Sequence, residues 1–209
     1  TRDKSMDINR RELVALAAVL LMPGFLKGGT TRTPWQSEGP FYPDRIPGDT
    51  DNDLVLNGET TIRAGGKILN LEGVLVDAGS KPIGGSTIEI WQTDLNGVYL
   101  HSGSFRRKKR DKHFQGYGRC LTNNEGRFSF RTIMPVEYPG RTPHIHMKVV
   151  DSGKVLLTTQ LYLEGHPLND SDFLFRAMSE TEREMNSMKL VPVSKSYSLK
   201  YETEVQIIV

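Results

Sequence analysis

Two histidines one residue apart, His144 and His146, are the first feature of this sequence that could do chemistry. They lie in a strand-like run, and side chains two positions apart on a strand point to the same face. Two imidazoles on one face make half of a metal site. The alternative is a pair of histidines that only hydrogen-bond to their neighbours, so further ligands are needed before a metal is indicated.

Two tyrosines beside turns are candidates for those ligands. Tyr99 follows the turn residues Asn96-Gly97, and Tyr138 begins the short connection that leads into His144. A phenol has an unperturbed pKa near ~10, and a bound cation of high charge lowers it strongly. Two phenolates and a hydroxide would neutralise a ferric ion, and two neutral imidazoles would complete its coordination. Such a nearly neutral set can lie in a partly buried pocket at little desolvation cost.

Short runs with period-two alternation, separated by turn residues, must position these side chains. The strand candidates are residues 67–76, 87–93, 127–131, 144–150, 155–163 and 197–209. Many short strands with frequent turns are typical of an antiparallel sandwich or barrel. We predict an all-β protein, an antiparallel β-sandwich.

One helix is predicted in the C-terminal half, over residues 172–188, with Ser171 as its N-cap. The proline-rich segment at residues 33–43 excludes a helix interior and a central strand, so it should run as irregular chain over the surface. The basic run at residues 106–110 is interpreted as a solvated loop, and the alternative is a surface that attracts an anionic substrate.

Composition narrows the class of protein. The 209 residues suit one compact domain, and the formal net charge of +2 gives no indication of nucleic-acid binding. A single cysteine excludes an intramolecular disulfide and a zinc site with several cysteines.

The N-terminal segment, residues 1–32, is predicted to be separate from the domain at residues 33–209. Arg10-Arg11 precedes an apolar run that is too short to span a bilayer, which resembles a twin-arginine export signal. The alternative is a helix that packs on the body or on another subunit. Export to the periplasm and a cytoplasmic location therefore both stay open.

The order of motifs from residue 33 onward resembles the intradiol ring-cleavage dioxygenases, in particular the protocatechuate 3,4-dioxygenase branch. The motifs are Ser37-Glu38-Gly39-Pro40-Phe41-Tyr42, Trp91-Gln92, Gly97-Val98-Tyr99-Leu100-His101, residues 114–122, residues 126–133, Tyr138-Pro139, Arg141-Thr142-Pro143-His144-Ile145-His146 and residues 159–165. The connection from Tyr138 to His144 is short beside that of some family members, which could alter the mouth of the site.

The resemblance implies a mononuclear non-haem Fe(III) held by Tyr99, Tyr138, His144 and His146. It also implies that Tyr138 leaves the metal when substrate binds and serves as a base. Arg141 would face the substrate ring and stabilise negative charge, with Gln160 in hydrogen-bond reach of it.

The implied reaction takes a catechol-type aromatic and O2, and inserts oxygen between the two hydroxyl-bearing carbons to give a cis,cis-muconate-type diacid. An oligomer is expected, either of identical chains or paired with a related subunit. The sequence leaves open whether catechol, protocatechuate, hydroxyquinol or another diol is used. The alternatives are a cupin-type metal oxygenase, which also uses a histidine pair on a strand, and an inactive β-sandwich binding module.

Overall fold

The computed structural model describes residues 31–58, 61–193 and 200–209. The predicted signal or packing helix lies almost wholly outside these residues, so it and the boundary at residue 33 stay predictions. The strands are β1 Ile68–Val76, β2 Thr87–Trp91, β3 Tyr117–Leu121, β4 Arg127–Ile133, β5 His144–Asp151, β6 Lys154–Leu163, β7 Ser187–Met188, β8 Val191–Val193 and β9 Lys200–Ile208. The α-helices are α1 Phe173–Ala177 and α2 Glu180–Met185, and 3-10 turns span Arg107–Lys109 and Pro167–Ser171. No helix in these ranges is long and apolar enough to cross a membrane.

Two sheets pack face to face, in the strand orders β4-β1-β9-β8 and β3-β2-β5-β6-β7. The core between them takes alternate residues from both, such as Leu71 and Phe130 from one sheet and Ile90 and Met147 from the other. The predicted sandwich is therefore confirmed, but the prediction that it is wholly antiparallel is wrong. β1 pairs with β9 and β6 pairs with β7 in parallel, and in each case a long connection separates the two strands, as a parallel pair requires.

The predicted single helix is instead two short helices. Met178 has extended backbone angles, and Ser179 then starts α2 with a capping box in which Glu182 bonds back to it. Asp172 caps α1 through its side chain, whereas the Ser171 hydroxyl donates to the Leu168 carbonyl. The capping box at Ser179 therefore starts a new helix within the segment that the apolar spacing predicted to be one helix.

The segment at residues 33–43 is irregular, as predicted, but it is fastened to the sheets. The Gln36 backbone N–H donates to the Thr158 carbonyl, and the Thr33 N–H donates to the Ile208 carbonyl. Lys148 pairs with Glu38 and lies over the ring of Tyr42. The segment therefore lies as a fixed cover on the five-stranded sheet.

The basic run is exposed at residues 106–109, as a solvated loop requires. The prediction is wrong for Arg110, which is half-buried and donates to the carbonyls of Phe114 and Gln115.

Gly126, in the turn between β3 and β4, is a position where the fold requires glycine. Its φ is +70°, and an added Cβ would lie 2.4 Å from the Leu75 carbonyl oxygen. We expect Gly126→Ala to lower the free energy of unfolding by about 2–5 kcal/mol, since backbone strain and overpacking add. Gly153→Ala is the control, because Gly153 has a φ of +76° with nothing within 4 Å of the added Cβ. It should cost only about 1–2 kcal/mol. Equal losses in urea unfolding would contradict the close approach at Gly126.

Candidate functional site

The site is built on the face of the five-stranded sheet that turns away from the core. Along β5, Ile145 and Met147 point into the core, so the alternate residues His144 and His146 point to the other face. Strand pairing sets His146 opposite Trp91 and Gln160, and His144 opposite Tyr162. One face of three adjacent strands therefore presents Trp91, His144, His146, Gln160 and Tyr162.

The two histidines and Tyr99 meet at their polar atoms. The Nε2 atoms of His144 and His146 lie 3.2 Å apart, and the Tyr99 hydroxyl is 3.1 Å from each of them. Tyr99 reaches this point from a turn in which the Asp94 carboxylate accepts from the backbone N–H groups of Asn96 and Val98. All three site side chains are almost completely buried, with 2% of each residue exposed.

The proton on His144 can be assigned from its partner. Its Nδ1 lies 2.6 Å from the Thr142 carbonyl oxygen, which can only accept, so Nδ1 carries the proton and Nε2 carries the lone pair. Nδ1 of His146 is buried and has no hydrogen-bond partner in the described chain. With either tautomer of His146, the three facing atoms hold more lone pairs than protons. A cation between them would satisfy that excess.

Burial sets the protonation of these groups. It lowers the pKa of His144 to about 3, with help from the nearby Arg141 charge, and it lowers that of His146 well below the usual value. Burial, and next the neighbouring Tyr138 phenol, raise the pKa of Tyr99 well above the usual value. Both imidazoles are therefore neutral, and the Tyr99 phenol would ionise only beside a bound cation.

Tyr138 completes the predicted set from the turn before β5. Its ring lies edge-on to that of Tyr99, with centroids 5.4 Å apart, and 5.6 Å from the ring of His144. Its hydroxyl accepts from Nη1 of Arg141 at 3.4 Å. Tyr138 is only half-buried, whereas Tyr99 is enclosed. The structure thus brings all four predicted ligand residues into one cluster, with Tyr138 on its open side.

Arg141 and Gln160, the two other predicted site residues, lie next to this cluster and bond to each other. The Nη2 atom of Arg141 donates to Gln160 at 2.6 Å, and Nε donates to the Asp172 carboxylate at 2.8 Å. Burial alone would lower the pKa of Arg141, but the hydrogen bond and charge of Asp172 outweigh it and leave the pKa raised. Arg141 is therefore a fixed, permanent positive charge at the edge of the site.

Asp172 and Phe41 are site residues that sequence reasoning missed. Phe41 stacks on Tyr99 with ring centroids 5.1 Å apart, as part of the covering segment. In that segment a Cβ on Gly39 would lie 3.5 Å from Cε1 of His146. Trp91 also belongs to the site, since its ring stacks on that of His146 with centroids 4.8 Å apart. The signal available was that Phe41 belongs to one of the recognised motifs, whereas nothing local marks Asp172.

The donor atoms fit a metal ion in spacing and type. Bonds of about 2.1 Å, as between zinc and histidine nitrogen, place ligands at right angles about 3.0 Å apart, and the three atoms here are 3.1–3.2 Å apart. Within residues 31–58, 61–193 and 200–209, no group of three or more His, Cys, Asp and Glu side chains could hold a metal. The cluster found here instead joins two imidazoles to two phenols.

Comparison with known proteins identifies the family. A family model described as "Dioxygenase" matches residues 37–203. The chain is 32% identical over 176 residues to the protocatechuate 3,4-dioxygenase beta chain of Burkholderia cepacia, which covers 79% of this chain and 75% of the relative. The chain belongs to the intradiol ring-cleavage dioxygenase family. This dioxygenase is therefore an oxidoreductase. The family match favours the intradiol interpretation over the cupin-type alternative.

Solved structures of the family share the fold of this dioxygenase. The dioxygenase domain of a Streptomyces carbohydrate-binding fusion protein matches with 31% identity and a TM-score of 0.65, over 86% of this chain and 98% of that one. An intradiol ring-cleavage dioxygenase of Tetranychus urticae matches with 26% identity and a TM-score of 0.66, over 85% and 94%. The dioxygenase spans about half of catechol 1,2-dioxygenase 1 of Acinetobacter lwoffii, 53% of its length at 29% identity.

Proposed function

We propose that this chain is a non-haem Fe(III) dioxygenase that cleaves a catechol-type ring between its two hydroxyl-bearing carbons, giving a cis,cis-muconate-type diacid. The observation that carries the proposal is the meeting of the Tyr99 hydroxyl and two imidazole Nε2 atoms at 3.1–3.2 Å, beside Tyr138 and Arg141. The inactive-module alternative would be marked by a lost ligand, and all four ligand residues are present.

Tyr99, Tyr138, His144 and His146 are the residues that would hold the iron. When bound, the ferric ion draws electron density from a chelating catecholate and so makes the ring reactive toward O2. Tyr99 and the histidines are buried and hold one another, so they form the permanent part of the set. Tyr138 is half-buried and contacts Arg141 at 3.4 Å, which suits a ligand that can leave.

The side chains of the protein handle protons, charge and water. The Tyr138 phenolate oxygen would be able to accept a substrate hydroxyl proton wherever it is not bound to the metal. Arg141, held by Gln160 and Asp172, presents Nη1 next to Tyr138 and can stabilise negative charge that develops on the ring. Phe41 and Trp91 pack on Tyr99 and His146, and they keep water away from the inner side of the site.

Catechol, protocatechuate and hydroxyquinol are the substrates to test first. The relatives that match include dioxygenases named for protocatechuate, catechol and hydroxyquinol. Each diol is supplied with isotopically labelled O2, and the product is identified by mass spectrometry. Incorporation of both labelled atoms into one ring-opened diacid is expected, whereas a product with one labelled atom or an intact ring would overturn the proposal.

An oligomer is also proposed, because the Burkholderia relative is named as a beta chain and so belongs to a multi-chain enzyme. Sedimentation of the purified protein should give a mass above the 23.5 kDa of one chain. A monomer that shows full activity would contradict this part of the proposal.

Replacing Tyr138 tests the exchange of ligand for substrate. In Tyr138→Phe we expect retained iron, an altered visible band and slower substrate binding, since one phenolate and its basic oxygen are lost while the permanent set remains. Stopped-flow mixing with a catechol under anaerobic conditions measures the binding rate. Unaltered colour and unaltered binding in this variant would exclude Tyr138 as a ligand.

A further inference from the structure

Asp172 lies just before α1, 31 residues beyond Arg141 in sequence, yet its side chain is fully buried against that arginine. We propose that Asp172 is a positioning residue that fixes the guanidinium of Arg141 for ring cleavage, an inference that rests on the proposed function. Nothing in the motifs around the metal site assigns it a role.

The two carboxylate oxygens of Asp172 have separate tasks. Oδ1 accepts from the backbone N–H groups of Leu174 and Phe175, both at 3.0 Å, and so caps α1. Oδ2 accepts from Nε of Arg141 at 2.8 Å and from the Thr142 N–H at 3.0 Å. A residue that served only as a helix cap would need the first oxygen alone. The second oxygen faces the site turn.

Arg141 is held on two edges and one face. Asp172 takes its Nε edge and Gln160 takes Nη2, while the ring of Phe173 lies 5.4 Å from the guanidinium carbon. Nη1 is the nitrogen left to face Tyr138. A planar guanidinium fixed in this way cannot turn about its stem, so one N–H group always points into the site. Removal of Asp172 frees the Nε edge and leaves only the hydrogen bonds at the two Nη atoms, of which the one to Gln160 is the shortest. The guanidinium is then freer to rotate.

Asp172→Ser separates the two tasks, because serine is a good N-cap and is too short to reach Arg141. We expect kcat to fall about 10–100-fold with a much smaller change in KM, since Arg141 acts on charge that develops in the reaction. The visible band of the bound iron should stay unchanged. Asp170→Ser, on the exposed side of the neighbouring 3-10 turn, is the matched control and should keep wild-type activity. Asp172→Asn keeps the shape of the side chain and one oxygen, so its kcat should lie between those of Asp172→Ser and Asp170→Ser.

A double-mutant cycle with Arg141→Gln gives the readout that a purely structural role would not produce. If Asp172 acts through Arg141, Asp172→Ser lowers kcat in the wild-type background and causes less than about a two-fold further loss when Arg141 is already Gln. The double variant should also melt higher than Arg141→Gln alone, since it removes a buried unpaired carboxylate.

The outcomes separate this inference from the proposed function. Equal losses of kcat in both backgrounds, or wild-type kcat in folded Asp172→Ser, would overturn the positioning role while leaving the dioxygenase intact. An unaltered protein that binds no iron and cleaves no catechol would overturn both.

Discussion

Tyr99→Phe and His146→Ala are each expected to abolish iron retention and ring cleavage. The Tyr99 hydroxyl lies 3.1 Å from both imidazole Nε2 atoms, so either change removes one corner of a buried triangle of donor atoms. The loss of iron affinity should exceed the roughly 10–100-fold that removal of an outer hydrogen-bond partner costs. Iron content by atomic absorption after gel filtration, together with the visible spectrum, measures it.

Tyr42→Phe is the matched control for Tyr99→Phe. Tyr42 also lies in the aromatic cluster, but its hydroxyl donates to Glu89 at 2.9 Å, away from the histidines. This variant should keep iron and colour. In Tyr99→Phe the ring still packs on Phe41, so a native circular dichroism spectrum is expected beside the lost iron. Full iron content in either ligand variant would contradict the assignment.

Arg141→Gln is expected to lower kcat by about 10²–10³-fold while iron content stays at the wild-type level, as loss of a fixed group that stabilises transition-state charge does in other enzymes. Glutamine removes the positive charge that faces Tyr138 and leaves the Asp172 carboxylate without its partner. Steady-state kinetics with the preferred diol measures kcat and KM, and the effect should fall mainly on kcat.

Arg141→Lys supplies the comparison for that prediction. Lysine keeps the charge but lacks the planar fork that bonds Asp172 and Gln160 together, so its activity should lie between those of wild type and Arg141→Gln. The thermal midpoint should fall more in Arg141→Gln than in Arg141→Lys, because a buried carboxylate without a cation is costly. Wild-type kcat in Arg141→Gln would exclude electrostatic stabilisation by this residue.

The alternation of apolar and polar residues was sufficient to predict the sandwich. The pairing of strands that lie far apart in the sequence could not be predicted. β1 and β4 have clear period-two burial, and β1, β4 and β5 were found close to their expected bounds. The first four residues of β5 are all buried, because both of its faces are covered there. The parallel pairing of β1 with β9 could not be read from local pattern, because it joins residues more than a hundred positions apart. The helix boundary at Ser179 was visible as a capping box, yet the apolar spacing across it predicted a continuous helix.

Some residues of the site could be predicted from the sequence, and others could not. His144 and His146 were predicted from their spacing on a strand, and the two tyrosines were predicted from the order of the motifs. The structure places all four in one cluster. Phe41 reaches the site from an irregular segment, and Asp172 reaches it from a helix cap. The local sequence does not predict where either side chain points. Only the packing of the covering segment and of α1 on the sheet brings them there.

The visible spectrum of the purified, iron-reconstituted protein during anaerobic titration with a catechol tests the central claim most directly. Tyr99 and Tyr138 bound to Fe(III) should give a wine-red charge-transfer band that shifts as the diol is added, and admission of O2 should then restore the resting spectrum with release of a ring-opened diacid. A colourless protein that retains no iron, or a band that does not respond to any diol, would contradict the account.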